Sequence, residues 1–199
     1  MTRKPRVFFT SDTHYDHENV IRYSHRPYRD KREMTDALIA NWNGVVRPED
    51  TLYHLGDVFF CQEERALEIL AQLNGTKHLV LGNHDKLVRN SAKVQSHFAS
   101  IHDLLEINVQ GQRIVLCHYP MTTWHRIGRG AWMLHGHCHG NLKYPYEPGK
   151  IHDVGVDPNG QTPVAFERLA AMMAKRAVHA MDHHAPDENG AGGGGDKER

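Results

Sequence analysis

The feature that most constrains this chain is a repeated juxtaposition. Short apolar or β-branched runs give way at once to aspartate, asparagine or histidine, and amphipathic stretches separate them. Residues 6–10 end in Ser11-Asp12 and read as a buried strand opening into a loop. Met34, Leu38, Ile39 and Trp42 recur at helical spacing in a helix expected to end near Gly44, and residues 47–50 (Arg-Pro-Glu-Asp) read as a turn. A second strand over 51–55 leads into Gly56-Asp57, a second helix over 63–73 stops at Asn74-Gly75, and a third strand over 78–81 ends at Gly82-Asn83. Strand, helix, strand, helix, strand over the first 85 residues is the pattern of parallel strands joined by crossover helices.

The second half changes character. Residues 104–109 and 113–117 flank Gln110-Gly111-Gln112 as a hairpin, and further strands are expected over 131–134, 153–156 and 163–166. Leu169, Met172, Met173 and Ala177 set a helical pattern over 168–181, an apolar stripe suited to packing. From Ala185 onward glycine and charge dominate, which predicts a disordered tail over 185–199 behind one domain spanning 1–184. A chain of 199 residues is long enough to bury a core without disulfides.

Lysine plus arginine (24) balance aspartate plus glutamate (24), so no global positive field exists to hold a long nucleic acid or an anionic membrane. No apolar run approaches the roughly 20 residues that cross a bilayer. Cys61, Cys117 and Cys138 are odd in number, lack C-x-x-C spacing and follow no apolar leader, so free thiols in a reducing, cytoplasmic setting are expected. Nothing in the sequence specifies an oligomeric state.

The chemistry lies in the post-strand residues: Asp12 and His14, then Asp57, Asn83 and His84, His118, and finally His137 with His139. Asp12 and His14, like His137 and His139, sit two apart, which aims both side chains one way if the chain stays extended. Gly56, Gly82 and Gly136 each precede a candidate, where a glycine permits close backbone approach. Imidazole, carboxylate and amide oxygen together suit divalent manganese, iron, zinc or nickel. Seven such donors exceed one tetrahedral site and suit two ions if a carboxylate bridges them, an arrangement that stabilises both oxygens of an in-line phosphoryl displacement.

The ordered set Asp12-x-His14, Gly56-Asp57, Gly82-Asn83-His84-Asp85, His118 and Gly136-His137-x-His139 resembles the five motifs of the calcineurin-like metallophosphoesterases, and the segment from Val154 to Asp157, with Pro163, looks like the closing strands of small bacterial members. The resemblance implies an α/β fold, a two-sheet β-sandwich flanked by helices. It implies two divalent ions, manganese foremost: one held by Asp12, His14 and His139, the other by Asn83, His118 and His137, with Asp57 bridging. His84 would stay off the metals and protonate the leaving oxygen or steady the phosphate, oriented by Asp85, while a metal-bridging hydroxide attacks. The implied substrate is a small phosphate ester, a phosphodiester or nucleotide. A nuclease is the nearest alternative reading, and a noncatalytic protein-binding scaffold of the same fold is another.

The family's commoner motif has glycine where this chain has Asp16, whose carboxylate is expected either to repel an anionic substrate or to orient His14 or His17. Arg22, Arg26 and Arg29 with Tyr23, His25 and Tyr28 form a stretch that either contacts substrate or is a solvated face. Trp124, His125 and Arg126 either line the cleft or anchor a loop. His135 is expected behind the ligands, Cys138 is expected to point away from them, and His179 with His183 reads as a solvated helical pair.

Overall fold

The computed structural model describes residues 3–143 and 149–178, so the tail expected after Ala185 and the His179/His183 pair lie outside the described residues. Two sheets form. The first contains β1 (Val7–Thr10), β2 (Thr51–His54), β3 (Thr76–Val80), β4 (Ser100–His102) and β9 (Val164–Ala165) in the order β4-β3-β2-β1-β9. Its first four strands run parallel, and β9 pairs antiparallel with β1. The second sheet orders β5 (Leu104–Val109), β6 (Gln112–Cys117), β7 (Trp132–His135) and β8 (Ile151–Asp153) in sequence, with an antiparallel β5/β6 hairpin and parallel β6, β7 and β8.

Alternation along each strand assigns the layers. Phe8, Leu52 and Leu79 face α2 (Lys31–Val45) and α3 (Glu63–Gln72), meeting Met34, Leu38, Trp42 and Ile69 in one cluster. Phe9, Val80 and, one residue past β2, Leu55 turn the other way and meet Ile114, Leu116, Trp132 and Leu134 between the sheets. That middle layer also takes Phe166, Leu169 and Met173 of the C-terminal helix (Phe166–Met173). Val115, Met133 and Ile151 form the outer face of the second sheet with Trp124 and Ile127. Met34, Leu38, Ile39 and Trp42, read from the sequence at helical spacing, thus pack α2, whose N-terminus Asp30 caps by accepting the N–H groups of Arg32 (2.9 Å) and Glu33 (2.8 Å).

Some expectations shift. The strand expected over 153–156 is β8, ending at Asp153; Gly155 leaves it to bridge Ser11, and the Val156 N–H donates to the Ser11 carbonyl at 3.0 Å. Those three residues tie the two sheets together instead of extending one. The last helix begins two residues before its expected start and ends at Met173; the end expected at Met181 lies outside the described residues. Short elements without periodicity were not anticipated: α1 (Glu18–Tyr23), α4 (Lys86–Asn90), α5 (Ala92–Gln95) and β4. Among the described residues no helix is long and apolar enough to cross a membrane.

Candidate metal centre

Parallel strands deliver their polar residues to one edge, and here both sheets contribute to the same edge. Asp12 and His14 follow β1, Asp57 follows β2, Asn83 and His84 follow β3, His118 follows β6, and His137 and His139 follow β7. Two groups of ligand atoms result, Asp12, His14 and His139 in one and Asp57, His118 and His137 in the other, each within 4.8 Å of one another. They meet at Asp57, whose Oδ2 lies 3.6 Å from His14 Nε2 and 3.5 Å from His118 Nε2. Asn83 Oδ1 lies 3.0 Å from both His118 Nε2 and His137 Nδ1. The candidate donors therefore converge as two adjoining sets with one carboxylate between them.

The local backbone is not extended. Asp12 (φ 55°), His14 (φ 48°), Asp57 (φ 60°), His137 (φ 69°) and His139 (φ 49°) all lie in the left-handed region, where an L side chain costs of order 1–3 kcal/mol and persists only where its surroundings enforce the conformation. Convergence of the paired residues comes from these tight turns, not from strand alternation. Cys138, between two of them, is half-buried, and burial pushes its thiol up to about 11, so it stays protonated. Asp16 shares the backbone conformation (φ 63°), one that glycine adopts without strain.

Neighbouring groups fix which lone pairs point inward. The Leu55 carbonyl accepts from His118 Nδ1 at 2.7 Å, so Nε2 carries the lone pair that faces Asn83 and Asp57. The Asp157 carboxylate accepts from His139 Nδ1 at 2.6 Å, leaving Nε2 free toward Asp12 Oδ1 at 3.8 Å. Both ring nitrogens of His14 are buried without a hydrogen-bond partner. Imidazole lone pairs and carboxylate oxygens facing one another at 3–4 Å are unfavourable as they stand, and divalent cations would satisfy them. The donor set thus fits two such ions.

Electrostatics follow from burial. Burial pushes the Asp12 carboxyl up to about 7, with His139 opposing, and lowers His14 well below its ordinary range. Burial alone would lower His139, but its bond to Asp157 and the nearby Asp12 hold it above. His54 is pushed down to about 3 by burial and is a neutral strut: its Nδ1 accepts the Gly56 N–H at 3.2 Å, and its Nε2 lies 3.0 Å from Thr13 Oγ1.

Several roles differ from those read in the sequence. Asp85 accepts the backbone N–H groups of Asp57 (2.9 Å), Val58 (2.8 Å) and Gly82 (2.8 Å), so its carboxylate fastens two ligand loops together and makes no hydrogen bond to the His84 ring. His84 is exposed beside the centre, its backbone N–H on Asp57 Oδ1 at 2.8 Å. Asp16 turns to Arg65 (2.9 Å) and Thr35 (2.8 Å), orienting neither His14 nor His17. Arg26 is buried rather than held out for substrate. It pairs with Asp157 through two bonds of 2.8 and 2.9 Å and donates to the carbonyls of Asp12 (2.6 Å) and Thr13 (2.9 Å). Arg29 is engaged by Glu33. The chain Arg26, Asp157, His139 escaped sequence reasoning because Arg26 lies 131 positions from Asp157 and Asp157 lies 18 from His139, with no local spacing to announce them. Trp124 is a loop anchor, buried, with its indole N–H on the Ala131 carbonyl at 2.9 Å. His135 is buried behind the ligand loop, its Nδ1 2.8 Å from the Gly136 carbonyl.

Residues 6–153 match the family model of the calcineurin-like phosphoesterase superfamily domain. Similar proteins include the uncharacterized protein MJ1445 of Methanocaldococcus jannaschii, 32% identical over 179 residues that cover 87% of this chain and 94% of that one. The gene 66 protein of Mycobacterium phage L5 is 26% identical, with 92% of this chain and 97% of that protein covered. Among solved structures, the protein of unknown function AQ665 from Aquifex aeolicus superposes with a TM-score of 0.67 at 26% identity, covering 85% of this chain and all (100%) of that one.

Proposed function

Because this chain belongs to the calcineurin-like phosphoesterase superfamily, we propose that it hydrolyses small phosphodiesters or nucleotides with the help of two divalent ions, manganese foremost and iron, zinc or nickel as alternatives. Asp12, His14 and His139 would hold one ion and Asn83, His118 and His137 the other, with the Asp57 carboxylate available to both. The observation that carries this reading is the single carboxylate oxygen of Asp57 placed 3.6 Å from one set's imidazole and 3.5 Å from the other's.

When bound, divalent ions supply Lewis acidity toward phosphoryl oxygens and lower the pKa of water toward ~7. The protein's own contribution is positioning. Arg26 and Asp157 keep His139 turned with Nε2 inward, the Leu55 carbonyl does the same for His118, and Asp85 holds the Asp57 and Gly82 loops at fixed separation. His84 stands exposed beside the centre as the proton donor. As the bond from phosphorus to the departing oxygen breaks and a water oxygen takes its place, the His84 ring gives a proton to the departing oxygen, and the proton that the attacking water loses returns to the ring through solvent. The balanced charge of the chain (24 against 24) favours a small substrate over a long polyanion.

The test is hydrolysis of p-nitrophenyl phosphate and bis-p-nitrophenyl phosphate by metal-stripped protein resupplied with manganese, nickel, zinc or magnesium, with Asp57→Asn in parallel. Metal-restored turnover absent from the variant supports the reading, and the ratio of the two rates separates monoester from diester preference. Turnover that survives both chelation and Asp57→Asn overturns it.

A further inference from the structure

A cleft of about 520 Å³ opens directly from His14, His84 and His139. Its composition is unusual for a site that handles phosphate. Among the described residues its lining holds no lysine, arginine, aspartate or glutamate. Two aromatic rings stand on its wall instead: Tyr23, the last residue of α1, is 70% exposed, and Phe60 is 39% exposed. Large apolar side chains left open to water in this way are a standing cost that a bound apolar group removes. Phe60 lies flat on the His17 ring with centroids 3.7 Å apart and planes within 6°, and its other ring neighbours are His84 at 5.0 Å and His14 at 5.4 Å. Val20 adds apolar surface, and Asn141 offers an amide at the edge.

We infer that this cleft seats a flat, uncharged aromatic group carried by the substrate, packed against Tyr23 and Phe60 while the phosphate occupies the metal centre. The inference rests on the phosphoester reading above and narrows its substrate class to phosphoesters bearing a nucleobase-like or aryl ring, over sugar phosphates and alkyl phosphates. Beyond the histidines at its base, a cleft without lysine or arginine offers a second phosphate no permanently charged side chain to offset its desolvation. It does suit a ring: stacking on aromatic side chains tolerates many ring identities, since every ring has a π-face. Contact with His84 places the ring on the departing side of the phosphorus.

Phenylphosphonate and methylphosphonate, whose P–C bonds resist hydrolysis, carry the same charged head with and without a ring. Calorimetric titration of each into manganese-loaded protein is expected to show phenylphosphonate binding about tenfold more tightly, the scale of one ring stack. Tyr23→Ala and Phe60→Leu are each expected to bring the ratio of the two Kd values down to about threefold or less, while Tyr23→Phe, which keeps the ring, retains it. Equal affinities in the unmodified protein overturn the inference. So does a preference that Tyr23→Ala and Phe60→Leu both leave intact, because the ring then binds elsewhere. Binding of neither phosphonate is a different failure: it removes the phosphoester reading itself, and the aromatic subsite with it.

Discussion

At the scale of single residues, the candidate ligands were legible because each follows an apolar run, and their residue types match metal chemistry. The supporting groups were not. Asp85 was expected to serve His84, yet burial and three backbone N–H groups claim its carboxylate, and no sequence spacing distinguishes a carboxylate facing a ring from one facing a loop. Under the proposed mechanism His84 therefore acts without help from Asp85. His84→Ala is expected to keep both metals, counted by elemental analysis, while kcat falls by about 10² to 10⁴; loss of metal in that variant would contradict the role. A second carboxylate has a purely structural signature. Burial would raise the Asp50 carboxyl, but the backbone N–H groups of Arg47 and Arg6 and the Arg3 guanidinium overcome it and hold the group below its usual range. A folded-state pKa below the unfolded value stabilises above about pH 4 and is lost as pH falls through the folded value. Asp50→Asn should therefore cost roughly 1–3 kcal/mol in urea melts at pH 7, and the gap to the unmodified protein should narrow at pH 3 to 3.5.

At the scale of elements, α2 and α3 were readable from periodic apolar positions, whereas α4 and α5, at five and four residues, are too short to display a period. The ligand turns were readable as places but not as shapes. Alternation predicted extended pairs, and the chain instead adopts left-handed conformations at five of the candidate ligands. Such turns survive because adjacent loops leave them no room to relax. Gly136 shows how little room there is: a Cβ there would collide with the Ser11 hydroxyl and come within 2.5 Å of Asp12 Oδ2. Gly136→Ala is expected to lower stability by at least about 1–3 kcal/mol through overpacking and to abolish metal binding, measured by thermal melts and isothermal titration. A variant that melts normally and binds two ions would show that the β1 and β7 loops can separate without loss of the site.

At the scale of the whole molecule, the alternation of helical and strand-like segments pointed to the parallel first sheet, while the docking of a second sheet onto it was expected only from the family resemblance. The order in which strands neighbour one another, with β9 returning antiparallel beside β1, depends on contacts between distant segments that no local pattern encodes. The candidate donor sets span the line where the sheets meet, so ions bound there would cross-link the two layers. Addition of manganese at a hundred times its dissociation constant should stabilise the fold by about 2.7 kcal/mol, a rise in Tm of roughly 5–10 °C. Chelation should reverse the rise, and Asp57→Asn should show none.

The seam at Ser11 and Gly155 also bears on how the protein is made. Each candidate ion draws on residues from both sheets, and the hydrogen bond from the His137 N–H to Asp12 spans 125 positions of chain. A polypeptide emerging from the ribosome therefore carries most of the donors long before it carries a complete set. Neither candidate set of donors is complete until the chain has been made through His137 for one and His139 for the other, so a chain truncated before His137 lacks both.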